Sequence, residues 1–273
     1  TLSSGRINIT SINLTIYPGA KIDASKAGYY NSGPGNVPAS CDRHGSGAGY
    51  GGYGGASANY IGGSPYGNAT WPLDFGSGGW SNSYGGGAIF INVTNLIVNG
   101  SILANGENGS CQCYYSRYGG GGGSGGSILI LANNLEGNGT ISANGGNGAG
   151  CSYGSGGGGA GGRIAIYYSN LNFNGNISVK GGSGYQYGES GTIALNGDVI
   201  PGFCDWKLSN STFCYITETH YLTTNHTYNF VYLNITGSLI GYNNVNLTFP
   251  NLSNLYLTGT LSLGSNSQLT LPS

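Results

Sequence analysis

Residues 156–168 read GGGGAGGRIAIYY, a glycine run that passes directly into a strand pattern. After Arg163 the apolar residues alternate, so Ile164 and Ile166 would share one face of a β-strand. The chain around this stretch shows no window with sustained helical periodicity. The pattern therefore predicts short strands joined by long glycine-rich segments.

The same order of segments occurs three times, in residues 85–109, 125–148 and 161–184. Equivalent isoleucines of successive copies lie 39 and then 36 residues apart, namely Ile89, Ile128 and Ile164 in the first strand and Ile102, Ile141 and Ile177 in the second. A truncated copy follows around Ile193, and Ile22 precedes Ile102 by eighty residues, about two periods. Periods of this size are typical of repeat architectures.

One such unit cannot bury its own apolar side, so the units must stack. We therefore predict an all-β fold, a parallel β-solenoid (β-helix) with long Gly/Tyr-rich loops. Residues 1–200 would form the glycine-rich part, and residues 201–273 would continue the same domain as plainer rungs. The alternative is a β-sandwich, which requires many hairpins with two-residue turns.

The composition is unusual for a folded protein. The 273 residues include 56 glycines and no methionine, only 6% are charged, and the net charge is −1. The basic residues are scattered singly, whereas nucleic-acid binding requires clustered lysine and arginine. We expect no nucleic-acid partner and, since no apolar run reaches eighteen residues, no membrane span.

The chain is rich in Asn-x-Ser/Thr sequons. Where they fall in strands, as in residues 7–16, the asparagines alternate with Ile7, Ile9, Ile12 and Leu14, which suit an inward face. Covalent N-glycans on the opposite face are therefore expected. The predicted sites are Asn8, Asn13, Asn68, Asn92, Asn99, Asn108, Asn138, Asn176, Asn210, Asn225, Asn234, Asn246 and Asn251.

The six cysteines, beside so many sequons, indicate disulfides in an oxidising compartment. A zinc site is the competing interpretation, but its usual paired spacings are missing. The repeat register places three cysteines in equivalent loops. We predict the pairs Cys41–Cys111, Cys113–Cys151 and Cys204–Cys214, with the exchange of Cys111 for Cys113 left open.

No constellation of catalytic residues stands out. The nine carboxylates are scattered, and Glu107 and Glu189 are the pair that neighbouring rungs could bring together. Asp42 and His44 lie in one loop without a nucleophile elbow, while His220 and His226 lack evident metal-ligating partners. We expect no enzyme, no catalytic residue, no metal and no cofactor.

Tyrosine is the ambiguous signal, because 22 copies are present and many lie in the glycine-rich segments. Their amphipathic rings can stack on sugars or on a partner protein, or can pack over the flat glycine backbone. The candidates for glycan or partner contact are Tyr114, Tyr115, Tyr118, Tyr153, Tyr185 and Tyr187.

The order of motifs over residues 19–195 resembles a glycine-rich β-solenoid module of large surface and secreted proteins. The most specific matching stretches are TISANGGNG at residues 140–148 and GGGGAGGRIAIYY at residues 156–168. The resemblance implies a cell-surface or matrix setting and brings no catalytic residues. The dense sequons and cysteines depart from the common bacterial form of the module.

These features together favour a structural role outside the cell. Both ends of the sequence read as ordinary strands, and an uncapped solenoid end exposes unpaired backbone groups. Either neighbouring copies stack head to tail, or the segment belongs to a longer protein. We expect an extracellular or cell-surface subunit of a glycoprotein filament or surface layer that assembles with itself, head to tail. The alternatives are a carbohydrate-binding adhesin module acting through the tyrosine loops and, third, a polysaccharide-active β-helix enzyme.

Overall fold

The computed structural model describes residues 2–3, 5–39, 43–80, 82–112, 117–204, 209 and 213–272, and within them the chain is all-β without helices. The strands of the glycine-rich part are β1 Leu2–Ser3, β2 Arg6–Ile16, β3 Lys21–Asp23, β4 Ala88–Val98, β5 Ser101–Leu103, β6 Cys111–Gln112, β7 Tyr118–Gly119, β8 Ser127–Gly137, β9 Thr140–Ser142, β10 Gly150–Cys151, β11 Gly154–Ser155, β12 Arg163–Phe173, β13 Asn176–Ser178, β14 Thr192–Leu195 and β15 Asp198–Pro201. The plainer part contains β16 Phe213–Ile216, β17 Thr219–Leu222, β18 His226–Thr227, β19 Tyr232–Ile235, β20 Ser238–Gly241, β21 Asn246–Thr248, β22 Asn254–Leu257, β23 Thr260–Leu263 and β24 Gln268–Thr270.

Two parallel sheets face each other in the glycine-rich part. One contains the four eleven-residue strands β2, β4, β8 and β12, followed by β14 and the antiparallel β15. The other contains β1, β3, β5, β9 and β13. The isoleucines predicted as anchors are register partners in both sheets, and they form the buried layer between them.

Two details of the predicted repeat are wrong. Ile22 pairs directly with Ile102, so the eighty residues between them are one turn with a long excursion and not two periods. Ile12 was expected to face inward but is 70% exposed. The long strand changes phase at this residue, because Ile7 and Ile9 point inward before it and Leu14 and Ile16 point inward after it.

The glycine segments between the strands form an ordered bundle. The N–H groups of residues 121–126 point in three directions in turn, to carbonyls of residues 77–80, 104–107 and 157–160. Every third N–H therefore reaches the same neighbour, which is the period of a polyproline II helix. Residues 156–161 repeat the pattern, and both runs are almost entirely buried.

Close backbone approach explains the glycines in these runs. A Cβ atom added at Gly158 would lie 1.9 Å from the carbonyl oxygen of Gly182, and one added at Gly121 would lie 1.8 Å from that of Ser46. Glycines that adopt a positive φ angle lie outside these runs. The described glycines with positive φ lie at turns and segment ends, namely Gly19, Gly33, Gly67, Gly137, Gly154 and Gly197.

The plainer part contains three small parallel sheets, β16–β19–β22, β17–β20–β23 and β18–β21–β24. The chain visits one strand of each sheet in turn, so that Leu233 pairs with Cys214 on one side and with Leu255 on the other. Inward-pointing leucine, isoleucine and phenylalanine side chains form a second buried cluster. This cluster meets the first at Leu195, which packs against both.

We predict that Gly158→Ala destabilises the protein by about 1–3 kcal/mol, the usual cost of forcing extra volume into a packed interior. Gly150→Ala is the matched control, because its new Cβ atom would meet only the Ser155 hydroxyl at 3.6 Å. Thermal unfolding of both variants checks this. Equal midpoints for the two variants would contradict the close-packed bundle.

Candidate assembly surfaces and glycan sites

Within the described residues, both ends of the stacked sheets present strand edges without a neighbour. At one end β1 and β2 are the outer strands, and Leu2 and Ile12 are exposed. At the other end β22, β23 and β24 are the outer strands, and Leu255, Leu257 and Leu271 are exposed beside them. Such an edge combines unpaired backbone groups with apolar side chains and can pair with another chain.

A ladder of asparagine amides runs along the long strands to one of these ends. Asn170 donates to Asn134 at 2.8 Å, Asn134 to Asn95 at 2.6 Å, and Asn95 to Asn13 at 2.7 Å. Because Asn13 accepts through Oδ1, its Nδ2 points away from Asn95 and towards the open edge beside β2. The ladder thus ends there on a donor that a further strand could engage.

The structure places most of the predicted glycan sites on the surface. Asn210 lies outside the described residues. Of the other twelve asparagines, Asn234 is half-buried and eleven are exposed. In the strand used to predict the alternation, Asn8 and Asn13 are both exposed, even though Ile12 departs from it. The side chains are accessible to a modifying enzyme.

The disulfides differ in part from the predicted pairing. Cys111 bonds Cys151, with Cα atoms 5.8 Å apart, so the predicted pairs Cys41–Cys111 and Cys113–Cys151 are wrong. The bond is the one expected from the exchange of Cys111 for Cys113, which the sequence left open. The local register is the reason, because Asn147 donates its N–H to Asn108 and so sets residue 150 beside Cys111. Cys204 bonds Cys214, the pair that the sequence predicts. Cys41 and Cys113 lie outside the described residues.

The tyrosines predicted as contact residues do not form one surface. Tyr118 and Tyr153 pack edge to face, and Tyr118 also packs against His44. Tyr187 stacks on Tyr221 with 4.1 Å between ring centroids. Among the described candidates, Tyr185 alone packs against no other aromatic ring of the described residues. It is exposed, while Tyr114 and Tyr115 lie outside the described residues.

Glu189 joins the two parts of the fold. Its carboxylate accepts hydrogen bonds from the backbone N–H of Tyr53, from Thr223 and Thr224, and from Nε2 of His226 at 3.0 Å. Burial by itself raises the pKa of the Glu189 carboxyl, but these hydrogen bonds outweigh it and hold the pKa below its ordinary value. Glu107, the carboxylate that the sequence considered together with Glu189, forms an ion pair with Lys26 at 3.3 Å.

His220 lines a cavity of about 230 Å³ between the two parts, and its Nδ1 lies 3.0 Å from the Ser190 hydroxyl. Glu218, which also lines this cavity, forms an ion pair with Lys180. Burial lowers the pKa of His220 to about 4. The imidazole is therefore neutral at pH 7 and holds Ser190 to β17. Sequence reasoning missed this contact, since the partners are 30 residues apart and follow no motif.

Among the described residues, no three histidine, cysteine, aspartate or glutamate side chains are grouped to hold a metal ion. Asp42 and Asp205 lie outside those residues. The described part also contains no helix of the length and apolar character that crossing a bilayer requires. No family model, curated protein or solved structure matches the chain.

We predict that His220 makes the protein less stable in acid. An imidazole in the unfolded chain has a pKa of about 6.5, so between about pH 6.5 and about 4 the unfolded state binds more protons. The stabilising contribution is complete above this window and is lost as the pH falls through it, by up to about 3 kcal/mol.

Denaturant unfolding at several pH values checks this. His220→Asn is expected to flatten the dependence in that window, while Ser190→Ala, which leaves the imidazole buried, is expected to keep it. An unchanged slope in the His220 variant would contradict the assignment.

Proposed function

We propose that this chain is a parallel β-solenoid that serves as a structural subunit of an extracellular glycoprotein filament or surface layer. Copies would assemble head to tail. The observation that carries the proposal is the pair of open strand edges, each flanked by exposed apolar side chains, at opposite ends of the stacked sheets. A contact between unlike ends of identical subunits generates an open filament when its rotation does not close into a ring, as for units stacked along one axis.

The register of the sheets supports the solenoid. The chain passes from the long-strand sheet to the short-strand sheet and returns one strand further along, from β4 and β5 to β8 and β9 and then to β12 and β13. The plainer part does the same over three sheets. A coil of this kind grows along one axis, so a second copy can continue it.

Two interactions would stabilise the contact between the ends of neighbouring copies. The exposed leucines near β22 and β24 would be removed from water, at about 25 cal/mol per Å² of apolar area. Unpaired backbone groups of β2 and the amide donor of Asn13 would gain partners at the same time. The partner in this proposal is a second copy of the chain, because it brings the opposite edge in the same parallel strand direction.

The chemistry of the remaining surface fits a structural rather than a catalytic role. Several carboxylates of the described residues are engaged with cations or hydroxyls, such as Glu107 with Lys26 and Glu218 with Lys180. The net charge of −1 provides no electrostatic attraction for the phosphates of a nucleic acid. Two disulfides are compatible with an oxidising, extracellular setting, and exposed sequons would carry solubilising glycans.

Electron microscopy of the purified protein at several concentrations tests the assembly. We expect filaments from the unsubstituted chain and none from the double variant Leu257→Lys, Leu271→Lys, because two charges would be buried at the end contact. Ile61→Lys is the matched control, since Ile61 is 79% exposed but lies in a glycine-rich segment. This variant should form filaments like the parent.

Discrete particles from the unsubstituted chain at every concentration would overturn the filament. They would favour the alternative, a carbohydrate-binding adhesin module. Loss of filaments in the Ile61 variant as well would attribute assembly to some other surface.

A glycan on Asn13 would oppose this contact, because its attachment atom Nδ2 points towards the open edge. We therefore expect Asn13 to be unmodified in assembled material, while Asn92, on the flank of the next strand, is modified. Glycopeptide mass spectrometry of isolated filaments measures both. Full occupancy of Asn13 in filaments would rule out the proposed role of this edge.

A further inference from the structure

Three tyrosine rings form a row on the outer face of the sheet β16–β19–β22. The ring centroids of Tyr215 and Tyr232 are 5.4 Å apart, and those of Tyr232 and Tyr256 are 5.1 Å apart. The planes of neighbouring rings are inclined by 37° and 31°. Tyr256 is 52% exposed, so the row is open to solvent at least at that ring. None of these tyrosines belongs to the contact residues that the sequence predicts.

A sequon asparagine lies inside this row. Asn234 is the register partner of Tyr215 on one side and of Tyr256 on the other, and Tyr232 precedes it by two residues on the same face of β19. The surrounding rings account for its being half-buried, in contrast to the other described sequon asparagines. The first sugar of a glycan joined to its Nδ2 would therefore lie next to the three rings.

We propose that Tyr215, Tyr232 and Tyr256 form a platform on which the first pyranose rings of a glycan linked to Asn234 stack. The inference rests on the glycoprotein part of the proposed function. The C–H groups on one face of a pyranose make it apolar enough to lie on an aromatic ring, and Tyr256 presents such a ring to solvent. Successive rungs are about 4.8 Å apart, close to the length of one sugar ring.

The covalent link selects this occupant over a free polysaccharide. Single contacts between a sugar and an aromatic ring are weak, so a free glycan needs many of them. A glycan joined to Asn234 meets the rings intramolecularly, at an effective concentration set by a short tether. The position of the sequon at the centre of the row is therefore what identifies the ligand.

Asn246 offers a matched comparison within the same part of the fold. It lies on β21 and pairs with Gln268, so its register neighbour carries no ring. It is exposed, and its sequon is completed by Thr248. A glycan there would extend into solvent, and removing it should be independent of any change in the tyrosine row.

A double-mutant cycle on glycosylated protein tests the proposal. Asn234→Gln is expected to lower the unfolding midpoint by about 2–4 °C, the shift that a modest loss of interaction causes in a chain of this size. The same substitution in a Tyr256→Ala background should have little further effect. Asn246→Gln should shift the midpoint equally in both backgrounds. The same variants from a host that adds no N-glycans measure the contribution of the polypeptide alone.

Two results would overturn the proposal, and neither depends on filament formation. The first is an absence of modification at Asn234 in glycopeptides that carry it at Asn246. The second is an equal effect of Asn234→Gln with and without Tyr256. NMR spectroscopy gives a direct readout. Protons of sugars that stack on the rings should resonate upfield of their usual positions, and in the Tyr256→Ala variant they should return to those positions. The tyrosine row would serve a separate glycan instead if two results coincide. Added oligosaccharides would shift the tyrosine ring resonances of the unglycosylated protein, and the effects of Asn234→Gln and Tyr256→Ala on the unfolding midpoint would be additive.

Discussion

The contact between glycine backbones is the constraint on which the rest of the structure depends. In the bundle, each segment gives its N–H groups to three neighbours in turn, which requires chains so close that no side chain can separate them. This packing lets the long excursion between β3 and β4 lie compactly against the sheets. Ile22 can then pair with Ile102 although 80 residues separate them.

The two parts of the chain reach stability by different routes. The glycine-rich part has an apolar layer between its sheets and a smaller apolar cluster on the opposite face of the long-strand sheet. A hydrogen-bonded bundle packs beside them. The plainer part has a core of leucine, isoleucine and phenylalanine, with aromatic rings stacked along it. Glu189 connects the parts, because one buried carboxylate accepts hydrogen bonds from residues in both.

The sequence predicted the features that depend on periodicity. The anchoring isoleucines could be aligned because each occupies the same place in a repeat, and the structure pairs them. Features that depend on a shift of one or two residues could not be predicted from periodicity. The strand changes phase at Ile12 within a run that looks regular, and Cys111 rather than Cys113 meets Cys151 because of the local register.

Contacts between the two parts could not be predicted either. Glu189 meets His226, and Ser190 meets His220, over separations of 37 and 30 residues that no repeat relates. The tyrosine row was also missed, because Tyr215, Tyr232 and Tyr256 are spaced by 17 and 24 residues and become neighbours only when β16, β19 and β22 pair. These contacts can be identified only from the distances between the residues in the folded chain.

The glycine bundle has a consequence for the response of the protein to temperature. Exposure of apolar surface raises the heat capacity of unfolding, and exposure of peptide groups lowers it. A bundle held by backbone hydrogen bonds exposes mostly peptide groups when it unfolds. The heat capacity increment per residue should therefore fall below the usual 12–15 cal/mol/K or so. Such a protein has a broad, flat stability curve and retains its fold over a wide range of temperatures.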